Sequence, residues 1–287
     1  MKKFADLHVH TNLSDGSDTV GEVLALASEN NVSYMSITDH NTVAAYTEAA
    51  FAEADRLGVK LIPGVELDVI HEGKQYHMLG LGIGYKSSKL LEACAHNADV
   101  QEDYNLSLLR LMEGDGLGVA EADYHRYEIP AGRGGWKLLN YLMDIGNTKS
   151  LREGLKYYGQ YGFDSNTIKF ISLSEAIDIV KSAHGVPILA HPGENIRCYD
   201  QYGSDNSAFW SAVDSLLQTG LEGIECIHPL HGFGLQRELT ALCREHGLYV
   251  SGGTDYHGQF FSRQKQTIGG QFVSFDVSEK LLNRIIN

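Results

Sequence analysis

The chain opens with the stretch Asp6-Leu7-His8-Val9-His10-Thr11-Asn12-Leu13-Ser14-Asp15-Gly16, in which two histidines alternate with apolar residues. Residues two apart on a β-strand project from the same face, so the imidazoles of His8 and His10 point toward one place. Asp15 follows in a Ser-Asp-Gly turn that is able to fold back toward that place. Together the three side chains outline a metal site beyond the end of a strand. A His-x-His pair alone is a weak signal, and its weight depends on the rest of the chain.

The rest of the chain alternates between strand-like and helix-like patterns. Before residue 86 the predicted elements are a strand over 3–9, a helix over 19–30, a strand over 33–38, a helix over 42–57, and strand-like runs over 60–69 and 76–84. After residue 170 they are a helix between Ser172 and Gly185, strands over 186–190, 221–227 and 248–252, and helices over 207–218, 234–246 and 278–287. Such alternation predicts an α/β fold with parallel strands covered by helices, in a barrel or an open sheet.

A helical region interrupts this alternation. Helices are predicted over 90–117 and 136–145, and Gly-rich segments connect the helices of this region. About four helices without intervening strands predict an inserted helical subdomain over 86–170. The α/β part is then formed by 1–85 and 171–287, and the insertion is expected to form part of the substrate pocket.

Composition limits the classes of function. The 287 residues are 43% hydrophobic and 21% charged, which fits a soluble globular chain with one large α/β domain, with or without an insertion. The formal net charge is -14, and no cluster of lysines and arginines offsets it. Such a field repels a nucleic-acid backbone, so composition argues against a nucleic-acid partner. The sequence leaves the oligomeric state open.

The sequence also predicts a cytoplasmic location. No apolar signal segment opens the chain, and no run approaches the roughly 18 apolar residues that a membrane span needs. The four cysteines form no C-x-x-C pair and are far apart, at Cys94, Cys198, Cys226 and Cys243. This spacing indicates neither a zinc knuckle nor a disulfide framework, and it fits a reducing compartment without a membrane partner.

Ionisable side chains follow or lie within several of the predicted strands. These residues are Asp39 and His40, Glu66, His77, His191, and Asp255 and His257. In parallel α/β folds the chemistry collects at the carboxyl ends of strands, because the loops there vary without disturbing the core. Repetition of the pattern predicts one shared site instead of scattered surface charges.

The complete set closely resembles the polymerase-and-histidinol-phosphatase (PHP) family of metal-dependent phosphoesterases. Its blocks occur in order over residues 6–257, as His8-x-His10, Asp15, Thr38-Asp39-His40, Glu66, His77, His191 and Asp255-x-His257. The helical stretch over 86–170 is covered least. The resemblance implies a distorted (β/α)7 barrel with a trinuclear metal centre at the mouth of the strands.

The resemblance also implies a ligand set for each of three divalent metal ions. The first set is His8, His10, Glu66 and Asp255; the second is Glu66, His77 and His191; the third is Asp15, His40 and His257. Imidazole and carboxylate ligands without thiolates suit open catalytic sites, and Mn, Fe and Zn are all compatible with them.

The implied chemistry is hydrolysis at phosphorus by a hydroxide that bridges two metals. Glu66, His191 and Asp255 are the expected catalytic residues through the metals, with His231 as a further catalytic residue. A poor leaving group needs a proton donor, for which His228, His231 and Tyr256 are the candidates.

Cationic side chains are expected to bind the substrate. Arg197, which lies six residues after His191, is the best placed, and Arg133 and Lys74 are further candidates. Nucleotide phosphatases of the family often carry Gly-Arg-Pro-His where this chain has Gly-Arg-Gly-Gly-Trp around Arg133. This difference argues against assigning to this chain the nucleotide substrate of those family members.

The leading hypothesis is a phosphoesterase that acts on a small phosphorylated metabolite, either a phosphomonoester or a small cyclic phosphodiester, with nucleotides and sugar phosphates as examples. A histidinol-phosphate phosphatase is an alternative within this class. A nuclease or proofreading-type phosphodiesterase is a second hypothesis, opposed by the acidic charge and the lack of a basic groove. A catalytically silent binding domain is a third, opposed by the intact set of ligands.

Overall fold

A computed structural model of the chain describes residues 4–196, 199, 205–258, 268 and 273–286. The strands are β1 (Phe4–Val9), β2 (Val32–Ile37), β3 (Lys60–Leu61), β4 (Gly64–His71), β5 (Lys74–Leu81), β6 (Val186–Leu189), β7 (Gly223–Ile227), β8 (Tyr249–Gly252) and β9 (Val273–Ser274). The helices are α1 (Val20–Glu29), α2 (Glu48–Leu57), α3 (Ser88–Gly114), α4 (Glu121–Arg126), α5 (Lys137–Asp144), α6 (Leu151–Gln160), α7 (Leu173–Ser182), α8 (Pro192–Asn195), α9 (Ser207–Leu217), α10 (Phe233–Glu245) and α11 (Phe275–Ile285), with a 3-10 turn at Ser165–Thr167.

The strands form two sheets that mix parallel and antiparallel pairs. One sheet has the order β3-β2-β1-β9 and the other β4-β5-β6-β7-β8. The prediction of wholly parallel strands is wrong at β5, which pairs antiparallel with both β4 and β6. The turn at Glu72–Gly73 is too short for a crossover connection, so β4 and β5 form a hairpin. This reversal brings the beginning of β5 to the edge of the sheet where β4 and β6, its antiparallel neighbours, end.

The two sheets meet at two places without merging into one closed barrel. Val9 forms an isolated parallel bridge with Tyr256, and His40 forms one with Glu66. At the first junction β1 approaches the end of β8 so closely that a Cβ on Gly253 would lie 2.4 Å from that of His8. The fold is therefore a mixed α/β arrangement, and the described strands do not form the closed barrel that the resemblance implied.

Two predicted elements are shorter or divided. The helix predicted over 42–57 begins at Glu48, because Thr47 caps it and the preceding residues form turns. The strand predicted over 60–69 is split into β3 and β4 at Pro63, which has no N–H to contribute to a ladder. The helix predicted over 19–30 is confirmed, and its Thr19 and Glu22 form the predicted capping box.

Helices α3 to α6 follow one another without a strand between β5 and β6. They have a hydrophobic cluster of their own, made of Leu106, Leu108, Leu109, Met112, Val119, Tyr124, Leu138, Tyr141 and Leu142. The first part of α3 belongs to the main core instead, through Leu90, Ala93 and Cys94. The subdomain limits of 86 and 170 remain a prediction.

No helix in the described ranges is both long and apolar enough to cross a membrane. The longest, α3, has 27 residues, but charged side chains recur along it.

Candidate metal centre

The nine predicted metal ligands converge at one end of the sheets. Their donor atoms fall into overlapping groups, within each of which all atoms lie less than 4.8 Å apart. The residues brought together are His8, His10, Asp15, His40, Glu66, His77, His191, Asp255 and His257. Residues that are far apart in the sequence therefore share one site, as the placement at strand ends predicts.

Glu66 lies at the centre of this cluster. Its Oε2 atom is 3.0 Å from Nε2 of His8 and 3.1 Å from Nε2 of His10. Its Oε1 atom is 2.9 Å from Nε2 of His191 and 3.1 Å from Nδ1 of His77. The side chain is 1% exposed. Nε2 of His40 is a third nitrogen near Oε2, at 3.4 Å. Histidines thus face both carboxylate oxygens, as they would around a carboxylate that bridges two cations.

The first group contains His8, His10, Glu66 and Asp255, the same residues that the resemblance assigns to one ion. Oδ1 of Asp255 is 3.3 Å from Nε2 of His8 and 3.2 Å from Nε2 of His10. The two Nε2 atoms lie only 3.1 Å apart, so two ring nitrogens and two carboxylate oxygens face the same small space. A cation at this place would satisfy all four.

The group around Asp15 contains His40, His257 and, in addition to the implied set, His10. Oδ2 of Asp15 is 3.2 Å from Nε2 of His257. Nδ1 of His257 donates to the carbonyl of Asp255 at 2.8 Å, which leaves Nε2 directed at Asp15.

The group around His77 differs from the implied set. It contains Glu66, His77 and His40. His191 is not in this group, although its ring meets that of His77 edge-on at 5.1 Å and both contact Oε1 of Glu66. Nε2 of His77 is 3.2 Å from Oδ1 of Asp68, so Nδ1 is the atom left for a metal. Sequence reasoning missed this role of Asp68, which is opposite His77 in the β4–β5 pair and buried.

Glu225 is a second buried carboxylate that sequence reasoning missed. Oε1 accepts a hydrogen bond from Nδ1 of His8 at 3.0 Å, and Oε2 accepts one from the backbone N–H of His191 at 2.8 Å. Burial alone would raise the pKa of Glu225, but the His8 imidazole reverses the effect and lowers it. An acidic residue inside the apolar run Ile224-Glu225-Cys226-Ile227 was the available signal.

We expect Glu225→Gln to weaken metal binding by about 10- to 100-fold, because the amide keeps the shape but loses the charge that orients two ligands. Calorimetric titration with Mn²⁺ measures the change in metal affinity. Glu222→Gln is the matched control, since Glu222 forms a surface ion pair with Lys181. Equal affinities in the two variants would show that Glu225 does not support the site.

Two further buried aspartates fix the loops that carry ligands. Asp39 accepts hydrogen bonds from both the N–H and the hydroxyl of Thr11, each at 2.7 Å, ahead of the turn that contains Asp15. Asp6 accepts from the N–H of Thr254 at 2.9 Å and from its hydroxyl at 2.7 Å, next to Asp255. Both carboxylates therefore position the ligands indirectly, by fixing the backbone of the loops that carry them.

Two of the predicted ligands occupy strained backbone positions. His191 has φ 21° and Asp255 has φ 50°, in the left-handed region that residues with a Cβ rarely adopt. Each lies in the loop after a parallel strand, β6 for His191 and β8 for Asp255. Strain of this kind persists where the surroundings hold the residue for a functional purpose.

The three candidate proton donors all have other partners. Nδ1 of His231 donates to the carbonyl of Cys226 at 3.1 Å, and Nε2 accepts from the N–H of Gly193 at 3.1 Å. Burial lowers the pKa of His231 to about 4, so it is neutral near pH 7 and both nitrogens are engaged. The hydroxyl of Tyr256 donates to Asp18 at 2.7 Å. The expected role of His231 as a proton donor therefore does not fit the structure, and neither does that of Tyr256.

His228 differs from the other two candidates. Its Nδ1 accepts from the N–H of Leu230 at 3.2 Å, which places its proton on Nε2, 3.3 Å from Oδ2 of Asp255. Burial lowers the pKa of His228, but the hydrogen bond to Asp255 more than compensates and raises it. The contact orients the carboxylate of Asp255 within the first group.

A cleft of about 1230 Å³ opens over the cluster. Lys74, one of the predicted substrate-binding residues, lines it. Arg133 is not among the described lining residues, and its Nη1 binds the carboxylate of Asp144 instead. Arg197 lies outside the described residues. Trp136 of the same connector as Arg133 does line the cleft, with its ring 5.4 Å from that of His40.

The metal-free protein is expected to be most stable between about pH 4 and 6.5. Burial lowers the pKa of His40 and His257, but carboxylates led by Glu66 for His40 and Asp15 for His257 reverse this and raise the values to about 9 and about 10. Their contribution is complete below the unfolded value of 6.5 and is lost as pH rises through the raised values. The pKa of Asp15 is lowered, so its contribution is lost below about 4. A thermal melt that improves from pH 7 to 10 would contradict this.

Comparison with known proteins agrees with the resemblance drawn from the sequence. The PHP domain matches residues 6–127. Phosphoribosyl 1,2-cyclic phosphate 1,2-diphosphodiesterase from Eggerthella lenta is 30% identical over 265 residues, which cover 89% of this chain and 94% of that protein. The chain belongs to the PHP family. The matched residues include six of the nine predicted ligands: His8, His10, Asp15, His40, Glu66 and His77.

Other relatives of this PHP chain have diverse names. The 3',5'-nucleoside bisphosphate phosphatase of Chromobacterium violaceum is 26% identical, over 88% of this chain and 86% of that protein. The 5'-3' exoribonuclease Rnm of Escherichia coli is 28% identical, over 88% of this chain and 84% of that protein. A solved structure from Bifidobacterium adolescentis has a TM-score of 0.77 at 21% identity and covers 99% of this chain and 96% of its own, which shows a shared fold.

Proposed function

We propose that this PHP-family phosphoesterase hydrolyses a small phosphorylated metabolite, either a phosphomonoester or a small cyclic phosphodiester. The observation that carries the proposal is the position of Glu66 among five histidines, two of which face Oε1 and three of which face Oε2. The relatives whose names specify a cyclic phosphate and a nucleoside bisphosphate support a small substrate.

The donor set fits divalent ions in composition, and we assign it to three of them. His8, His10, Glu66 and Asp255 would hold the first, and Asp15, His40 and His257 the third, with His10 beside it. Glu66, His77 and His191 would hold the second, because both imidazoles lie near Oε1 of Glu66, although the donor atoms of His77 group with His40. Mn, Fe and Zn each accept such nitrogen and oxygen ligands. When bound, the ions would lower the pKa of water and neutralise charge on the phosphoryl oxygens.

The residues of the chain hold this centre in position. Glu225 fixes the tautomer of His8 by accepting from Nδ1, which leaves Nε2 as the ligating atom. Asp68 does the same for His77 at Nε2, and His228 orients Asp255. All three supports are buried. We expect them to limit movement of the ligands during the reaction.

Among the cationic candidates, the cleft supports Lys74 most directly because it lines the cavity. Arg197 remains a proposal on its sequence position alone. Arg133 would have to leave Asp144 before it met a substrate, so we assign it a lesser part in binding.

We further infer that the strands of the two sheets form a distorted seven-stranded barrel around the site, supported by the bridges that join the sheets at Val9 and His40.

A nuclease activity is the second candidate, because an exoribonuclease is among the relatives. The net charge of -14 opposes it, since binding to a polynucleotide depends on neutralising phosphates with lysine and arginine. Hydrolysis of a short oligonucleotide therefore belongs in any test of the substrate.

The test is hydrolysis of a panel of substrates by the Mn-loaded protein, with the products separated by chromatography because diesters are hydrolysed without release of inorganic phosphate. The panel contains an aryl phosphate, a 3',5'-bisphosphonucleotide, a cyclic phosphate, histidinol phosphate and a short oligonucleotide. Turnover of a small ester that is abolished in His191→Ala, but retained in the exposed control His246→Ala, would support the proposal. Turnover of the oligonucleotide alone would favour the nuclease, and no turnover of any ester would overturn both.

A further inference from the structure

The cleft has an aromatic end that the metal chemistry does not use. Tyr104, Tyr158 and Phe163 line it, and we call these residues the aromatic subsite. The rings of Tyr104 and Tyr158 stack at 5.8 Å with an angle of 17°, and Phe163 meets Tyr104 edge-on at 4.8 Å. The rings therefore fix one another, and the subsite is formed before any ligand arrives.

A continuous wall connects the aromatic subsite with the metal centre. Trp136 packs beside His40 at 5.4 Å, and both line the cleft. Leu139, on the next turn of α5, also lines the cleft and contacts α6 at Gly154, one turn before Tyr158. One small molecule therefore has a path along this wall from the donor cluster to the rings.

The hydroxyl of Tyr104 is buried and has no hydrogen-bond partner among the described residues. Leaving a buried hydroxyl unpaired is unfavourable, so a group that pairs with it when the cleft is filled would restore the lost interaction. Burial, aided by Asp164, raises the pKa of Tyr104 to about 12, so the hydroxyl stays protonated and is able to donate. The hydroxyl of Tyr158 is already used on Asn105, at 2.7 Å.

The charge around the subsite does not favour a second anionic group. Lys74 is the single lysine or arginine among the described residues that line the cleft. Asp164 lines the same cavity and is exposed, while Gln101 and Asn166 supply neutral polar groups. A neutral ring with a hydrogen-bond acceptor matches these surroundings better than a phosphate or a carboxylate does.

We propose that the aromatic subsite binds a neutral planar ring carried by the alcohol part of the phosphoester, a nucleobase or an aryl group, with an acceptor atom facing Tyr104. The inference rests on the proposed phosphoesterase function and specifies its substrate class. Stacking on aromatic side chains and the unpaired hydroxyl supply the recognition, and both favour a ring over an open polyol.

The test compares adenosine 5'-monophosphate, 4-nitrophenyl phosphate and ribose 5-phosphate as substrates, in the wild type and two variants. Phe163→Leu removes a ring and Tyr104→Phe removes the hydroxyl. We expect Phe163→Leu to reduce kcat/KM for both ring-bearing esters by about tenfold, since base stacking has effects of this size. Turnover of ribose 5-phosphate should change less than twofold. Tyr104→Phe should lower kcat/KM for the nucleotide, because the ring of the nucleotide carries hydrogen-bond acceptors.

Tyr161→Phe is the matched control for the hydroxyl, because Tyr161 lies in the same helical region and bonds Asp115 outside the cleft. Calorimetric binding of the nucleotide and of ribose 5-phosphate to the metal-free protein gives a readout that is independent of turnover. The nucleotide should bind more tightly, and Phe163→Leu should remove the preference.

Equal effects of Phe163→Leu on all three esters, or no preference for the nucleotide in binding, would overturn the aromatic subsite and leave the phosphoesterase function intact. Comparing 4-nitrophenyl phosphate with adenosine 5'-monophosphate distinguishes an aryl group from a nucleobase as the bound ring. A nucleotide preference in binding together with no turnover of any ester would instead overturn the proposed function while the subsite stands.

Discussion

Glu66→Gln is expected to lower kcat by on the order of a thousandfold. The amide keeps the volume of the side chain but removes the negative charge that faces His8, His10, His77 and His191. An amide has one oxygen, so it is unable to bridge two cations in the way that a carboxylate does. The metal content should fall together with the rate.

Glu72→Gln is the matched control for this experiment. Glu72 lies in the exposed turn between β4 and β5, a few residues after Glu66. Its variant should keep the wild-type rate and metal content. If Glu66→Gln retains more than about a tenth of the wild-type kcat with its metals bound, Glu66 is not the bridging ligand.

Removal of the metals is expected to abolish hydrolysis and to lower the melting temperature by more than about 10 °C. Each ion present at a hundredfold excess over its Kd stabilises the folded chain by about 2.7 kcal/mol. Three ions exceed what is needed for such a shift in a chain of this size, even though ion pairs such as Asp15 with His257 persist without metal. Melting curves and phosphate release before and after chelation measure both effects. Recovery on adding Mn²⁺ is the control, and unchanged activity after chelation would contradict a metal-dependent reaction.

The ligands of the candidate centre were accessible from the sequence because their positions follow a local rule. His8 and His10 alternate on a strand, and His40, His191 and Asp255 each follow a strand, so alternation and placement at strand ends direct them to one edge. The match of the chain to the PHP domain confirms the family that these blocks predicted.

The direction of β5 was not accessible in the same way. Strand–helix alternation predicts parallel pairs, but the short turn at Glu72–Gly73 makes β4 and β5 a hairpin. His77 therefore reaches the site from the beginning of a strand and not from its end. The turn residues Glu72 and Gly73 indicated a hairpin, whereas the strand–helix alternation of the chain indicated parallel strands.

The supports of the ligands were missed because they depend on contacts between distant segments. Glu225 meets His8 across 217 positions of the sequence, and nothing local marks it apart from its charge inside an apolar run. The same limit explains why the sequence did not show the hydrogen-bond partners of the candidate proton donors. The hydroxyl of Tyr256 is taken by Asp18, and both nitrogens of His231 are taken by backbone atoms.

The most direct test of the proposed centre is the number of metal ions bound per chain, measured by mass spectrometry of the Mn-loaded protein together with its hydrolytic rate. We expect three ions in the wild type, and a loss of at least one ion and of activity in Asp15→Asn. Asp18→Asn, which alters a carboxylate outside the nine ligands, should retain all three. A wild-type protein that hydrolyses phosphoesters with no bound metal would contradict the central claim.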